Sequence, residues 1–362
     1  MKKNLLRTGF TLLAALVLYV AVVLIHGTLS DWQPSGIQAL EAYQAGQSAP
    51  VADSVFSLAT WNVGYAGLGA ESNFFYDQGH FLFSGGGMIR SPKEAVDKNL
   101  AGITQMISSV QSDFFLLQEV DIAARRSYFL PVFDSIRHRR PGYAAFFAPN
   151  YKVARMPLPL FEPWRAYGRV LSGLATLSRW QPEGSERVQL PGKFGWPTRL
   201  FQLDRCLAVH RFPTSRGKDL IVINAHNSAH DAKGEVKREE MALLRKMVLD
   251  YYQQGCYVIV GADWNQTPPN FQFDTFSPHN PRNHNQINID PDFLPADWTW
   301  VYDPTQPTNR KLYEVYRPGE TFTTLIDFFL ISPNVRVRKV KTISQDFQYS
   351  DHQPVWMEVE LK

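Results

Sequence analysis

Hydrophobic and polar positions divide the chain into three stretches of different texture. The first runs from Thr8 to Ile25, 18 residues without a charge, preceded by Lys2, Lys3 and Arg7. As a helix it spans about 27 Å, close to the hydrocarbon thickness of a bilayer. It has no polar face, so a helix buried in a soluble core is a poor alternative. The cations ahead of it place the amino terminus on the cytoplasmic side and send everything after His26 outward. A cleaved signal peptide would share the charged start and the apolar core. Bulky Val23, Leu24 and Ile25 close the run with no small-x-small site after them, which favours an uncleaved single-pass anchor over residues 1–26.

Residues 27–54 are rich in Gly, Ser, Ala, Gln and Pro and read as a linker, with one short helix near 37–43. The folded unit is expected over 55–362. Its β-branched and aromatic runs predict strands at 55–61, 113–120, 143–148, 173–178, 199–203, 206–212, 220–226, 256–261, 324–331, 335–342 and 355–361. Ser91-Pro92 reads as a helix start, and Val96, Leu100, Ile103, Ile107 and Val110 follow at helical spacing. A second helix is expected over 234–254, with Leu243, Leu244, Met247 and Val248 on its apolar side. The Pro- and Asn-rich stretch 267–297 reads as loop. Many strands with few helices predict stacked sheets flanked by helices rather than a regular alternating parallel sheet.

Composition narrows the class only slightly. The 362 residues are 44% hydrophobic and 20% charged, which excludes wholesale disorder and a polytopic membrane protein. A formal net charge of +3 does not suggest a general polyanion binder. Two cysteines, Cys206 and Cys256, exclude a disulfide scaffold and a cysteine zinc site; both lie in apolar runs and read as buried thiols.

The informative feature is what ends the strands. Asn62 follows Trp61, Gln118-Glu119 follows Leu117, and Asn224-Ala225-His226-Asn227 follows Ile223. Gly261-Ala262-Asp263-Trp264-Asn265 follows Val260, Asp327 follows Ile326, and Asp351-His352 follows Ser350. One carboxylate at a strand end usually caps a loop. Several such junctions on one rim of a sheet can instead converge on one site. Carboxylate and amide oxygens suit a hard cation, Mg²⁺ or Mn²⁺, and with two histidines the set fits metal-assisted hydrolysis of a phosphate ester.

The ordered series Thr60-Trp61-Asn62, Leu117-Gln118-Glu119, Asn224-Ala225-His226, Gly261 to Asn265, Ile326-Asp327 and Ser350-Asp351-His352 resembles the endonuclease/exonuclease/phosphatase superfamily, the fold of deoxyribonuclease I. Gly173-Leu-Ala-Thr-Leu-Ser-Arg179 is similar to its central strand motif. The resemblance implies an α+β fold, a two-sheet β-sandwich in four layers (α/β/β/α), here preceded by one transmembrane helix. It implies Glu119 as principal metal ligand with Asn62 beside it and Asp351 at or near the metal. Asp263 and Asn265 would orient water and phosphate, and His226 would bind the scissile phosphate. His352, oriented by Asp327, would be general base or charged stabiliser; the proton acceptor stays open between Asp263 and His352. Asn227 is a weaker substrate-binding candidate, or simply ties down a loop.

Relatives of this kind often carry a second acid after the first strand. Here that segment is the long run 64–90, where Glu71 and Asp77 are candidates and Asp77 is preferred. The run also holds Phe74-Phe75-Tyr76, Phe81-Leu82-Phe83 and Gly85-Gly86-Gly87, which could face substrate or membrane, or form a packed insertion. Arg125 and Arg126, close to Glu119 in sequence, are substrate candidates. The run Arg137 to Arg140 reads equally well as a solvated face. Arg155, Arg165 and Arg169 accompany Trp164 and Tyr167 and could hold a phosphate, an anionic headgroup or stacked nucleobases.

The leading expectation is a membrane-anchored, extracytoplasmic, divalent-metal-dependent phosphoesterase with no obligate protein partner. A secreted or surface nuclease acting on DNA or RNA is the alternative, and a non-catalytic binding module on the same fold is a third. A zinc hydrolase is weaker, since no His-Glu-x-x-His pattern is present.

Overall fold

Long apolar strands return to their own sheet through helices or hairpins, and this builds two facing sheets. The computed structural model describes the chain apart from residues 1, 35, 53, 78, 193, 230–233, 273–275 and 277–286, and the side chains of 2 and 5. In chain order come α1 (Lys2–Leu29), β1 (Ile37–Ala39), β2 (Ala42–Gln44), β3 (Val55–Asn62), α2 (Lys93–Ser109), β4 (Phe114–Asp121) and α3 (Val132–Arg137). There follow β5 (Ala144–Met156), β6 (Gly168–Ser178), β7 (Gly184–Gln189), β8 (Cys206–Pro213), β9 (Asp219–His226), α4 (Glu235–Gln253) and β10 (Tyr257–Asp263). The last elements are β11 (Thr299–Val301), β12 (Asn309–Arg310), β13 (Thr323–Thr324), β14 (Asp327–Ile331), β15 (Val335–Thr342) and β16 (Val355–Leu361).

One sheet has the order β1-β7-β8-β9-β10-β14-β11, the other β15-β16-β3-β4-β6-β5-β2. Their inner faces meet through Phe56, Leu58, Phe114 and Leu116 on one side and Val222, Ile259 and Phe329 on the other. Helix α4 covers the outer face of the first sheet with Leu244 and Val248. Helices α2 and α3 cover the second with Val96, Ile103, Ile107 and Phe133. The four-layer sandwich is therefore as expected, and burial on both faces explains why the central strands read as nearly unbroken apolar runs.

Two crossovers define one rim. β3 and β4, joined through α2, are parallel, with Asn62 beside Gln118. β9 and β10, joined through α4, are also parallel, with His226 beside Asp263. A parallel pair needs its connection to travel the full length of the sheet, so both strands of each pair end on the same edge. Antiparallel β14 begins on that edge, with Asp327 opposite Asp263.

Several local expectations change. Residues 37–43 form no helix: β1 pairs with β7 and β2 with β5, so the presumed linker adds one edge strand to each sheet. Backbone pairing to an open edge outweighs the weak local propensity of so short a segment. Residues 199–203 are not a strand but contain a 3₁₀ turn, Thr198–Phe201, after Pro197, a residue with no amide hydrogen for a ladder. The run 324–331 breaks at Leu325-Ile326, because the Ile326 and Asp327 amides both donate to the Thr308 hydroxyl instead of a strand. Ser91 does not cap α2; its hydroxyl donates to the Gly67 carbonyl, and Ala95 and Val96 amides turn back to the Pro92 carbonyl. Much of the expected 267–297 loop lies outside the described residues. Cys206 and Cys256 are free and buried, as expected.

Candidate active site

Asp263, the last residue of β10, is where the strand-end groups meet. Its Oδ1 accepts the Asn265 backbone amide at 3.0 Å, and its Oδ2 accepts the Asn62 side-chain amide at 2.9 Å. His226 Nε2 lies 3.3 Å and His352 Nε2 3.7 Å from the same Oδ2. Burial would raise the Asp263 carboxyl, but His226, His352 and the Asn62 and Asn265 donors hold it below its ordinary value. His226 itself is pushed down to about 3 by burial and the neighbouring Arg205. It is therefore neutral, and it supports Asp263 through an N–H dipole rather than a full charge.

His352 is the opposite case. Its Nδ1 donates to Asp327 Oδ2 at 2.8 Å, and Nε2 lies 3.8 Å from Asp351 Oδ2. Burial pulls the imidazole down, but Asp327, Asp263 and Asp351 outweigh it and keep the ring well above its ordinary value. The ring is fixed by its backbone as well: Trp61 Nε1 donates to the His352 carbonyl, and Ser350 Oγ to the Asn62 carbonyl, which clamps the 350–352 turn onto β3. Asp327, wholly buried, is raised to about 6 by burial, with His352 opposing and Asp263 adding to the rise.

Glu119 lies on the same rim. Asn62 Nδ2 bridges Glu119 Oε1 at 3.2 Å and Asp263 Oδ2 at 2.9 Å. β4 shifts register against β6 between Leu117 and Val120, and Glu119 has φ +53° within that irregularity. A bulge re-aims one side chain out of the pleat, and a left-handed non-glycine residue is strained backbone held by its surroundings. Asp351 is raised to about 7, first by burial, with Glu119 also raising it while His352 and Arg310 oppose. Glu119 and Asp351 are thus near enough for the charge of one to raise the proton affinity of the other.

The buried cluster Asp263, Asp327 and His352 also brings its ligand atoms within 4.8 Å of one another. The 2.8 Å hydrogen bond from His352 Nδ1 to Asp327 occupies that nitrogen and fixes the orientation of the ring.

Other expected residues are placed differently. Asn62 Oδ1 accepts the Gly64 amide at 3.0 Å, and its nitrogen faces the two acids. Asn265 Nδ2 donates to the Asn227 carbonyl at 2.9 Å, tying two loops. Asn227 points its amide at Met241 Sδ of α4, 3.1 Å away, and serves packing rather than the rim. Glu71 pairs with Lys98 on the surface. Asp77 is half-buried and close enough to raise Asp351, which keeps it the better second acid. Arg125 donates to the Ala166 carbonyl at 3.1 Å along the hairpin.

Arg126 is withdrawn from any substrate. It is buried, forked onto Asp121 at 2.8 and 3.1 Å, donating to Ser172 and Tyr167, with its guanidinium 3.8 Å from the Tyr65 ring. Sequence proximity to Glu119 misled here, because the 3₁₀ turn Arg125–Ser127 folds the side chain back under β4. Removing one partner of a buried pair leaves an uncompensated charge. Arg126→Ala should destabilise the fold by about 3–5 kcal/mol in urea unfolding; a loss below about 1 kcal/mol would show the pair to be dispensable.

A sequence profile of the endonuclease/exonuclease/phosphatase family matches residues 59–352. The chain belongs to that family. No curated protein matches significantly. Solved structures share the fold at low identity. The endonuclease/exonuclease/phosphatase from Beutenbergia cavernae DSM 12333 is 18% identical with TM-score 0.52, covering 85% of this chain and 72% of that one. The human Nocturnin catalytic domain with bound sulfate is 16% identical with TM-score 0.51, covering 87% and 97%. ANGEL2, a 2′,3′-cyclic phosphatase, is 14% identical with TM-score 0.52, covering 90% and 99%.

Within this family member, some rim residues carried no local signal in the sequence. Asn309 sets its side-chain amide 3.0 Å from His352 Nε2. Arg310 donates to the Gly69 and Ser72 carbonyls and ties the 64–90 run to the 350–352 turn. Arg205 is only 9% exposed, sits near Glu240, Glu119 and Asp263, and has no partner for Nη1 among the described residues. An Arg directly before an apolar strand looks like any strand-end charge.

Proposed function

We propose that this chain is a membrane-anchored, divalent-cation-dependent hydrolase of phosphodiesters or phosphomonoesters, acting through activated water. The observation that supports it is one continuous polar chain, Asp327–His352–Asp263–Asn62–Glu119, with contacts of 2.8, 3.7, 2.9 and 3.2 Å. A binding module has no use for buried carboxylates that raise one another's proton affinity.

Glu119 and Asp351 would hold Mg²⁺ or Mn²⁺, which supplies countercharge to the phosphoryl oxygens. Asp263, kept ionised, accepts a hydrogen bond from the attacking water and takes its proton as the new P–O bond forms. The P–O bond to the ester oxygen breaks meanwhile, and the alcohol or phenol leaves as its anion, protonated from solvent where it is basic enough. His352 stays an imidazolium and faces the charge that develops on the phosphoryl oxygens, while Asp327 holds its ring orientation. The unpartnered Nη1 of Arg205 offers a further donor to those oxygens, while neutral His226 keeps its one N–H on Asp263. The choice between Asp263 and His352 as proton acceptor thus falls to Asp263.

The one helix among the described residues long and apolar enough to cross a membrane contains Leu6–Leu29. We place the amino terminus on the cytoplasmic side and the catalytic domain outside. In the first test, full-length protein in detergent hydrolyses methyl 4-nitrophenyl phosphate. Chelation should lower turnover by about a hundredfold or more, and Mg²⁺ or Mn²⁺ should restore it. Turnover indifferent to chelation would overturn the cation-dependent reading.

A further inference from the structure

We propose that the catalytic rim faces the bilayer that holds α1, and that the substrate is a phosphate ester carried at that bilayer's surface. This rests on the hydrolase reading above and names its substrate class. The carrying observation is where the anchor meets the domain. Helix α1 packs against β5 and the Thr198–Phe201 turn. Gly27 brings a Cβ position within 3.3–3.5 Å of Leu200 and Phe201, and Trp196 Nε1 donates to Thr28 Oγ1 at 3.2 Å. Arg199 reaches Asp31 at 3.4 Å just beyond the helix. Tyr19, Val20, Ala21, Val23 and Leu24 are half-buried, whereas Leu6, Phe10, Leu12 and Val17 are exposed. Contact therefore begins within the apolar span, about 12 Å before Gly27. The domain surface beside it lies at the level of the lipid headgroups and upper chains.

That surface leads to the catalytic rim on its β5–β6 side. The end of β5 and the start of β6 flank the 157–167 connection, and Tyr167 within it meets the Tyr65 ring and the Arg126 guanidinium that back the Glu119 bulge. Leu160 and Phe161 amides donate to the Phe81 and Leu82 carbonyls, so the 64–90 run joins the same protrusion. Its tip carries Trp164 at 71% exposure, Phe81 at 55% and Phe83 at 56%; Trp196, at 55%, stands beside the anchor. Arg155 and Arg169 are exposed on the two strands. Aromatics with interleaved cations, set next to a membrane span, match the headgroup layer. A rim meant for soluble substrate would place these apolar side chains in water, where they are costly and adhesive.

The test uses full-length protein reconstituted in vesicles of equal parts phosphatidylcholine and phosphatidylglycerol. Two reporters share one leaving group: hexadecyl 4-nitrophenyl phosphate embedded in the vesicles, and methyl 4-nitrophenyl phosphate in solution. The combined variant Phe81→Ser, Phe83→Ser, Trp164→Ser should lose about tenfold on the embedded ester and stay within about twofold on the soluble one. Separately, phosphatidylcholine brominated near the glycerol end should quench the emission that distinguishes wild type from Trp164→Phe. Equal loss on both esters, no loss on either, or unquenched Trp164 would overturn the proposal. A matching loss on single-stranded DNA would assign the aromatics to base stacking and overturn it too. Quenched Trp164 with neither ester hydrolysed would leave the docking intact and remove the hydrolase reading; hydrolysis with unquenched Trp164 would do the reverse.

Discussion

Asp263→Asn is expected to lower kcat by about a thousandfold or more on methyl 4-nitrophenyl phosphate, with KM changed far less. The carboxylate accepts the Asn265 amide and the Asn62 side chain and lies 3.3 Å from His226. An amide of the same shape keeps the packing but presents N–H groups to partners that are themselves donors. It cannot take a proton from water, and it removes one of the charges that hold His352 as an imidazolium. Both roles fail together, so the effect exceeds that of a single hydrogen bond. The variant should still unfold cooperatively, with a midpoint lowered by the donors left facing one another. Turnover within tenfold of wild type in a folded variant would move the proton acceptor elsewhere.

Glu119→Gln is expected to shift the Mn²⁺ activation midpoint upward by about a hundredfold and to cut turnover at saturating wild-type Mn²⁺ by a similar factor. Its carboxylate stands on a strained left-handed residue whose only evident benefit is aim. Burial and Glu119 together raise Asp351 to about 7, so removing the Glu119 charge relieves repulsion between acids. In the absence of metal the variant should therefore be as stable as wild type or more stable, by up to about 1 kcal/mol. Reduced activity with greater metal-free stability separates a ligand from a structural prop. An unchanged Mn²⁺ titration would remove Glu119 from the cation site.

The strand-end motifs were legible because each is local: an apolar run that stops at Asp, Asn, Glu or His identifies itself within a few residues. Their order along the chain was enough to anticipate the layered fold. What each side chain does was less visible, since that depends on neighbours from other elements. The local motif did not show that Gly64 would donate to the Asn62 oxygen or that two acids would share its nitrogen. Arg126 looked available, yet Asp121, Ser172 and Tyr167 enclose it. Asn227 turned to Met241 rather than to the rim. Arg140, within a run that read equally well as a solvated face or a grip for an anion, donates to the Ile107 carbonyl of α2.

The sequence by itself determined which segments could be apolar strands, which helix could enter a bilayer, and which residue types would stand at the strand ends. Those are short-range consequences of side-chain chemistry and period. Tertiary structure alone decided that β1 and β2 each take an edge of a different sheet, that burial pushes His226 down while neighbouring carboxylates push His352 up, and that the apolar helix meets the domain at β5 and the Thr198–Phe201 turn. Such outcomes follow from contacts between residues far apart in the chain, where desolvation and Coulomb interaction depend on three-dimensional distance and not on position in the sequence.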